Sequence, residues 1–330
     1  MAEQLKIDRL ETGAPRIGLL FNPLGGQARK RELAIRQILT EIPRVIIHEA
    51  TNAREFKTSI DCLLQADIDL LVIIGGDGTI HATLSHLFAT LPPAKWPVLA
   101  LVPGGTTNMT SLDLGVRGKP EQVLQRLCNY LLKPSESVLV QRAVLRVEQT
   151  GSEKIHGMFF AVGLVARGVK FSRSSVKQLG ITGSIFTILI MLRSLAGMIL
   201  GRHQTEWAPA ELSITEANGE THKGTYLFAL VSVLDRLLLG IRPYWGKAQA
   251  PLHVTTVDQQ CKHLWRSLWA LFSGQGHRLK EQDGYHSCNI HTLELLMDDE
   301  YIVDGELYQA TSLNGPLRIS ATEPVTFLVL

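Results

Sequence analysis

Short apolar stretches alternate with helical stretches over the first third of the chain. Residues 69–74 (DLLVII) form a continuous apolar run, of the kind that a parallel sheet buries on both faces. The pattern predicts strands at 16–21, 45–48, 69–74 and 97–102, and helices at 29–41, 53–65, from about 80 onward, and 120–132. This order of strands and helices predicts an open, mostly parallel α/β sheet with right-handed crossovers.

Beyond the helix at 120–132, apolar strands follow one another with few helices between them. Strands are predicted within 136–148, 154–166, 224–234, 251–257, 290–297 and 317–330, and helices within 172–200 and at 258–273. We therefore expect two domains, an α/β domain over residues 1–135 and a β-rich domain over residues 136–330. The final strand is a candidate to return to the first domain.

Three of the four strands in the first domain end in glycine-rich loops, at 22–26 (NPLGG), 75–79 (GGDGT) and 103–108 (PGGTTN). In an open α/β sheet, ligands bind at the carboxyl ends of the strands, so the loops should converge there. Glycines let the backbone approach a phosphate, and a following helix start offers N–H donors. The loops thus predict a polyphosphate site. A tight strand-to-helix turn is the alternative for each loop alone, and neither GxxxxGK[ST] nor GxGxxG occurs.

The side chains of these loops supply polar functional groups to the predicted site. Thr79, Thr106 and Thr107 supply hydroxyl donors, and Asn108 supplies a carboxamide. The Asp77 carboxylate is repelled by phosphate unless a cation intervenes, so it suggests Mg²⁺ or a general base.

Composition narrows the class of protein. Apolar residues make up 45% of the 330 residues and charged residues 19%, which excludes a disordered or fibrous chain. Lys and Arg number 33 and Asp and Glu 31, so the formal charge is +2 and nucleic acid is not an expected partner. The four cysteines lack metal or disulfide spacing, and the N-terminus lacks a signal peptide, so a cytoplasmic location is expected.

Two apolar stretches raise the question of a membrane-spanning segment. The stretch at 184–200 contains Arg193 and is shorter than a bilayer requires, and the stretch at 225–241 contains Asp235 and Arg236. Both are predicted as buried core or as the wall of a lipid pocket, with a transmembrane helix as the alternative.

The loop motifs, together with Val303-Asp304-Gly305-Glu306, resemble the diacylglycerol kinase catalytic domain superfamily. That group includes bacterial diacylglycerol kinases and sphingosine and ceramide kinases, and is distantly akin to NAD kinases and phosphofructokinases. The similarity runs in the same order over nearly the whole chain. It implies an ATP- and Mg²⁺-dependent kinase that phosphorylates a lipid hydroxyl in a cleft between the α/β domain and a C-terminal antiparallel β-sandwich.

The resemblance also implies roles for individual residues. Nucleotide contacts are implied for Asn22, Gly26, Arg29, Lys30, Gly75, Gly76, Gly78, Thr79, Gly104, Gly105, Thr106, Thr107, Asn108, Lys177 and Glu306. Asp304 and Asp77 divide the catalytic roles: Asp304 is assigned as the base, while Asp77 organises Mg²⁺ with Glu306. In an extended strand, Asp304 and Glu306 would share one face, whereas a surface hairpin turn is the alternative for Asp-Gly.

The chain departs from the family pattern after two of the loops. Ile80-His81-Ala82 stands where an Asn-Glu pair is usual, and Met109-Thr110-Ser111 stands where Asp-Phe-Ala is usual. A divergent kinase and a non-catalytic lipid or nucleotide sensor are both compatible with these changes. Further along, Arg167 and Lys170 stand where an acidic residue is usual in the family. Two cations there favour a neutral or anionic lipid headgroup over a cationic amine. The alternative is that both side chains are solvated at the surface.

A final stretch mixes cations with large apolar residues. Lys262, His263 and Arg266 are interleaved with Leu264, Trp265, Leu268, Trp269, Leu271 and Phe272. Such a helix either docks on a membrane surface or packs into the core of the β-rich domain.

The expected protein is a cytoplasmic lipid kinase, peripherally associated with the inner membrane face, that acts on diacylglycerol or a related acylglycerol. A sphingosine or ceramide kinase is the alternative within enzymes, and a homodimer stays open.

Overall fold

The computed structural model describes residues 2–12, 15–42, 44–133, 138–179, 208–216 and 219–330. The chain divides into two compact units. The first unit consists of Met1–Ala143 and Glu323–Leu330, and the second unit consists of Val144–Thr322.

The secondary-structure elements are numbered here in chain order. The α-helices of the described residues are α1 (Ala2–Glu11), α2 (Gly26–Lys30), α3 (Glu32–Leu39), α4 (Ala53–Gln65), α5 (Asp77–Thr90), α6 (Met109–Asp113), α7 (Pro120–Leu132), α8 (Leu164–Leu179) and α9 (Leu264–Phe272). The strands are β1 (Ile17–Phe21), β2 (Val45–Glu49), β3 (Leu70–Gly75), β4 (Val98–Pro103), β5 (Val138–Arg142), β6 (Leu145–Glu148), β7 (Ile155–Gly157), β8 (Phe159–Gly163), β9 (Ala210–Glu216), β10 (Thr221–Ser232), β11 (Leu252–Asp258), β12 (Tyr285–Ile290), β13 (Thr292–Leu296), β14 (Glu300–Val303), β15 (Glu306–Gln309), β16 (Leu317–Ala321) and β17 (Val325–Val329).

A six-stranded sheet forms the centre of the first unit, in the order β2-β1-β3-β4-β17-β5. All neighbours are parallel except β17 and β5, which are antiparallel. The strands β1, β3 and β4 are buried at every residue, as their continuous apolar sequences predict. The predicted α/β fold class is confirmed, and the last strand of the chain, β17, pairs with β4 and β5 of the first unit.

Several boundaries differ from those that the sequence predicts. The helix predicted at 29–41 is two helices, α2 and α3, because Arg31 between them has a non-helical φ of −120°. The sequence pattern does not predict α1 or the short α6. Both depend on contacts with the rest of the first unit, such as the bonds from Lys6 Nζ on α1 to the carbonyl oxygens of Lys95 and Trp96.

The second unit contains an antiparallel sheet of eleven strands. Its main path runs β15-β14-β8-β10-β9-β13-β16-β6-β7, and β11 joins β10 to β12 beside this path. The predicted antiparallel C-terminal fold is confirmed, but its form differs from a sandwich of two separate sheets. The strands make one hydrogen-bonded sheet that curls, so that β7 at one end of the path also contacts β14, the second strand from the other end.

The long strand β10 explains why the sheet stays continuous. Its first half, 221–226, pairs with β9, and its second half, 228–232, pairs with β8. Between the halves, the register with β11 shifts at Tyr226 and Phe228, and such a bulge bends a strand. One bent strand therefore belongs to both halves of the sheet and joins them.

Of the two apolar stretches that raised the question of a transmembrane helix, the structure describes one. Residues 225–232 of the stretch at 225–241 lie in strand β10, so this stretch is not a membrane-spanning helix. The stretch at 184–200 lies outside the described residues. Within the part of the chain that the structure describes, no helix combines the length and the hydropathy needed to cross a bilayer.

Candidate functional site

The three glycine-rich loops lie side by side in the first unit. They follow β1, β3 and β4, which are neighbouring parallel strands, so all three loops leave the same edge of the sheet. The amides of Gln27 and Ala28 in the first loop region both donate to the carbonyl oxygen of Gly104 in the third, at 2.9 and 2.8 Å. The backbone of the first loop is thus tied directly to that of the third.

The second and third loops touch through glycine backbone. A Cβ atom on Gly76 would lie 2.8 Å from the Cα of Gly105, closer than real Cβ atoms approach other atoms. A Cβ on Gly105 would overlap the Cα of Gly76 in turn. Glycine at both positions is required by this close approach, and the resulting surface is backbone without side chains.

Asn22 links the first two loops through its side chain. Its Nδ2 donates to Thr79 Oγ1 at 3.0 Å, and its Oδ1 accepts from the amide of Leu24 at 3.0 Å. Thr79 is buried in the first turn of α5. The predicted nucleotide contact at Asn22 is therefore a residue that also sets the distance between two loops.

Asn108 holds the third loop in its bend. Its backbone is left-handed, with φ of 50°, and its side chain bonds to both peptide groups of Gly105. Oδ1 accepts from the Gly105 amide at 2.7 Å, and Nδ2 donates to the Gly105 carbonyl at 3.0 Å. The amide of Gly105, a residue predicted to contact the nucleotide, is thus engaged inside the loop.

Asp77 is the first residue of α5 and is only 7% exposed. Its Oδ2 accepts from Thr107 Oγ1 at 2.6 Å and from the amide of Met109 at 3.1 Å, and its Oδ1 accepts from the amide of Thr110 at 3.0 Å. Negative charge is stabilising at the start of a helix, so this carboxylate stabilises the starts of α5 and α6 together.

Of the three partners of Asp77, the sequence analysis singles out only Thr107 as a functional group. Two of the three donors are backbone amides, those of Met109 and Thr110, and a backbone amide carries no residue-type signal. Met109 and Thr110 stand at positions where the chain departs from the family pattern. The contact they make to Asp77 does not depend on their side chains.

The start of α5 presents N–H groups beside the loops. Within the described part of the chain, the amides of Asp77 and Gly78 have no hydrogen-bond acceptor. On α2, Arg29 and Lys30 are exposed cations with no carboxylate partner among the described residues. Two open helical amides with cations on a neighbouring element fit the requirements of a phosphate group.

The described residues contain no cluster of three or more His, Cys, Asp or Glu side chains arranged to hold a metal ion. Asp77 uses both carboxylate oxygens for protein donors, although Oδ1 accepts only one bond. Mg²⁺ in nucleotide sites is bound by one or two carboxylates together with phosphates and water. The residues at this site fit a metal that is held mainly by the nucleotide.

The Asp304-Gly305 pair lies in the second unit and forms the turn of a hairpin. Val303 at the end of β14 pairs with Glu306 at the start of β15. The two residues between them have positive φ, 50° at Asp304 and 86° at Gly305, as a type I′ turn requires. The extended conformation that would put Asp304 and Glu306 on one face is therefore not adopted.

The Asp304 carboxylate is buried, although it belongs to a turn. The residue is 9% exposed, and its Oδ1 and Oδ2 accept from the amide of Met158 at 3.1 and 3.0 Å. The amide of Phe159 donates to Oδ1 at 3.0 Å, and the amide of Asp304 donates to the Phe159 carbonyl at 2.9 Å. These contacts exclude the alternative of a solvated surface turn.

Close packing reinforces the position of Asp304. A Cβ on Gly157, the last residue of β7, would lie 2.5 Å from Asp304 Oδ2. The absence of a side chain there leaves room for the carboxylate. The sequence analysis does not predict Met158, Phe159 and Gly157 as site residues. Met158 and Phe159 contact Asp304 through their backbone amides, and Gly157 leaves room for the carboxylate because it has no side chain.

Two cations near this hairpin are already paired. Arg167 on α8 contacts Asp299 at 3.0 Å, and Lys170 contacts Glu300 at 2.7 Å. Their charges are balanced by neighbouring carboxylates, so the expectation that they select against a cationic headgroup is not supported by the contacts. Lys177 lies on the same helix, and its side chain is outside the described part of the structure.

Comparison with known proteins finds a family model that is similar to the segment containing these loops. Residues 16–140 match the family model described as the diacylglycerol kinase catalytic domain. No curated protein is significantly similar to the chain in sequence.

Three solved structures from Bacillus anthracis str. Sterne share the fold of the whole chain. One, a putative diacylglycerol kinase, is 17% identical with a TM-score of 0.67, and a second, a diacylglycerol kinase, is 16% identical with a TM-score of 0.62. A third, again a putative diacylglycerol kinase, is 17% identical with a TM-score of 0.65. Each match covers 96% of this chain and 97% of the other. The three glycine-rich loops all lie within residues 16–140, the segment that matches the diacylglycerol kinase catalytic domain model.

Proposed function

We propose that this protein is a lipid kinase that transfers the γ-phosphoryl group of ATP to a lipid hydroxyl, with diacylglycerol or a related acylglycerol as acceptor. The observation that carries the proposal is the open start of α5, beside the contact of Gly76 with Gly105, where the Asp77 and Gly78 amides have no acceptor among the described residues. The family of residues 16–140 supports ATP as the nucleotide.

The first unit would bind the phosphates mainly through backbone. The α5 amides, with the partial positive charge of the helix start, would donate to phosphate oxygens. Arg29 and Lys30 are exposed and lack carboxylate partners in the described chain, so their charge remains for an anion. The Thr79 hydroxyl accepts from Asn22, and its own proton is left to donate to phosphate.

Mg²⁺ would accompany the nucleotide and neutralise charge on the transferred group. In this proposal Asp77 would help to hold the metal in the first unit, where its Oδ1 accepts only one hydrogen bond. Asp77 alone makes no metal site, because the described residues contain no set of three ligands. The role of Glu306, which lies in the second unit, stays a prediction.

Asp304 is the proposed general base. The amides of Met158 and Phe159 stabilise its ionised form and fix the orientation of the carboxylate. Hydrogen bonds of this kind reduce basicity, but phosphoryl transfer through a loose transition state demands little of it. The larger requirement is that an acceptor for the hydroxyl proton is accurately positioned, and the turn would hold the Asp304 carboxylate in place for this role.

The acceptor lipid is inferred less directly than the nucleotide. The pairing of Arg167 and Lys170 with carboxylates leaves no net charge at that position to select between neutral and cationic headgroups. Acylglycerols therefore rank first because of the family of residues 16–140, and sphingosine or ceramide is the alternative that the assay must include.

The test is phosphoryl transfer by the purified full chain. Labelled ATP and Mg²⁺ are supplied with diacylglycerol, monoacylglycerol, sphingosine or ceramide in mixed micelles, and label in each extracted lipid is counted. We expect label in an acylglycerol. Asp304→Asn should lower kcat by about 10²- to 10⁴-fold, the range for loss of a general base, while nucleotide affinity is retained.

Asp298→Asn is the matched control, since Asp298 is an exposed carboxylate of the same unit that bonds to Ser312. Its kcat should equal that of the unmodified chain. Label in no lipid, with ATP still bound, would favour a sensor over a kinase. Label in sphingosine or ceramide alone would replace the acceptor class, and full activity in both Asp304→Asn and Asp77→Asn would remove the assigned site.

A further inference from the structure

Helix α9 in the second unit is apolar on two faces. Leu264, Leu268 and Leu271 pack into a core cluster with residues of α8, β10, β11 and β12. On the outside, Trp265 is 50% exposed and Trp269 is 73% exposed. The two tryptophans are four residues apart, so they lie next to each other on the same face of the helix. The predicted core packing is therefore confirmed for the inner face, while the outer face is exposed and membrane docking stays a prediction.

The segment that contains this helix is basic, and Asp258, Glu281 and Asp283 lie just outside it in sequence. Residues 259–280 contain Lys262, Arg266, Arg278 and Lys280 and neither Asp nor Glu, which gives a formal charge of +4, against +2 for the entire chain. The short 3-10 turn Gly276–Arg278 packs against α9, so the end of this segment lies beside the helix.

Three of these four cations have no carboxylate partner among the described residues. Arg266, Arg278 and Lys280 are exposed and have no carboxylate partner among the described residues, and Lys262 is 3.9 Å from Asp283. The exposed tryptophan pair thus lies in a segment with three exposed cations that have no carboxylate partner among the described residues.

We infer that the outer face of α9 docks on the surface of an anionic lipid bilayer. Indole rings are favoured at the boundary between headgroups and acyl chains, where one part of the ring is apolar and the N–H is hydrated. Lys and Arg beside them attract anionic headgroups. A helix of nine residues is too short to span a bilayer, so it lies in the plane of the interface with Trp265 and Trp269 towards the acyl chains.

A second copy of the chain fits this surface less well. A twofold contact between two α9 faces would bring Arg266 and its basic neighbours against their own copies, and like charges would repel. An acidic protein surface could balance the charge, and the experiment includes that outcome.

The test is co-sedimentation of the full chain with vesicles that contain no acylglycerol, in the absence of ATP. One set is pure phosphatidylcholine, and the other is phosphatidylcholine mixed with phosphatidylglycerol. We expect binding to the anionic vesicles, weakened by added salt. Trp265→Ser with Trp269→Ser should lower the partition coefficient by about tenfold or more, and Arg266→Gln with Arg278→Gln by about fivefold for each cation removed.

Leu313→Ser is the matched control, because Leu313 is 93% exposed on a different turn of the same unit. It should bind vesicles as the unmodified chain does. The inference is overturned if the double tryptophan variant, shown by its thermal unfolding to be folded, binds as tightly as the control. It is also overturned if the purified chain self-associates through these tryptophans, or if only an acidic protein and no vesicle is bound. The assay needs no phosphoryl transfer, so its outcome is independent of the proposed reaction.

Discussion

Thr107 Oγ1 donates a 2.6 Å hydrogen bond to Asp77 Oδ2, which ties the third glycine-rich loop to the first residue of α5. The Met109 and Thr110 amides complete the set of donors around the same carboxylate. One buried acidic side chain thereby connects the segments that follow β3 and β4. Replacing this side chain should therefore destabilise the loops, whatever role the carboxylate has in the reaction.

Asp77→Asn tests this connection. The amide nitrogen of Asn would face an N–H or O–H donor, so at least one buried donor would lose its acceptor. We expect a loss of about 1–3 kcal/mol in the free energy of unfolding of the first unit, the cost of an unsatisfied buried polar group. The measurement is urea unfolding of the full chain followed by far-UV circular dichroism.

Thr107→Val is the companion variant, since it removes one donor and leaves the carboxylate in place. It should cost about 1 kcal/mol, the net value of one hydrogen bond. Unchanged stability in Asp77→Asn, with nucleotide binding lost, would mean that Asp77 acts on the ligand and does not maintain the loops.

Gly105→Ala should disrupt the contact between the second and third loops. Its methyl group would overlap the Cα of Gly76, and backbone cannot rotate away as a side chain can. We expect a destabilisation of about 1–3 kcal/mol, typical of overpacking, together with loss of ATP binding measured by titration calorimetry.

Gly26→Ala offers the comparison, because its methyl group would meet the Thr106 side chain, which can change rotamer. It should be less destabilising than Gly105→Ala. Equal effects of the two variants would argue that the glycine-to-glycine contact has no special importance.

Gly157→Ala should displace the Asp304 carboxylate without altering its chemistry. The added methyl group would lie 2.5 Å from both Asp304 Oδ2 and Val303 Cγ1. On the proposed mechanism, kcat falls while ATP affinity is unchanged, since a base out of position loses most of its effect. Single-turnover phosphorylation and calorimetric ATP titration separate the two quantities.

Gly224→Ala controls for a glycine replacement in the same unit, where the nearest atom to the new methyl is 3.3 Å away on the Tyr226 ring. Its activity should be that of the unmodified chain. A fully active Gly157→Ala protein would show that the position of Asp304 is unimportant.

Glu49 on β2 predicts a pH dependence of stability. Hydrogen bonds from the Arg36 guanidinium lower the pKa of Glu49 in the folded chain. Because the folded-state pKa lies below the unfolded value, the pair stabilises the fold above the unfolded pKa of about 4.3, and this contribution is lost as the pH falls through the folded-state pKa. The Glu49 side chain is 41% exposed, so the effect should stay below about 1 kcal/mol.

Glu49→Gln should therefore lower Tm at neutral pH and have no effect in acid well below the folded-state pKa. Differential scanning calorimetry of both proteins across this range measures the difference. A Tm difference that persists in acid would assign the effect to packing instead of charge.

The secondary structure of the first unit was largely predictable because its signals are local. The helix predicted at 53–65 matches α4, and continuous apolar runs marked β1, β3 and β4 before any contact was known. In the second unit, β9, β12, β14 and β15 were not predicted. Their residues are only partly apolar, and they become strands because neighbouring strands of the curled sheet satisfy their backbone groups.

The order of strands and helices, and the three loops at one edge of a parallel sheet, follow from the amino-acid sequence alone, because burial leaves a pattern of apolar residues that is visible in the sequence. Contacts between distant segments decide that Asp304 is buried in a turn, that one face of α9 stays exposed, and that Asp77 bonds to α6. Backbone amides such as those of Met158 and Thr110 are present at nearly every position. Which carboxylate they meet depends on the packing of segments distant in sequence.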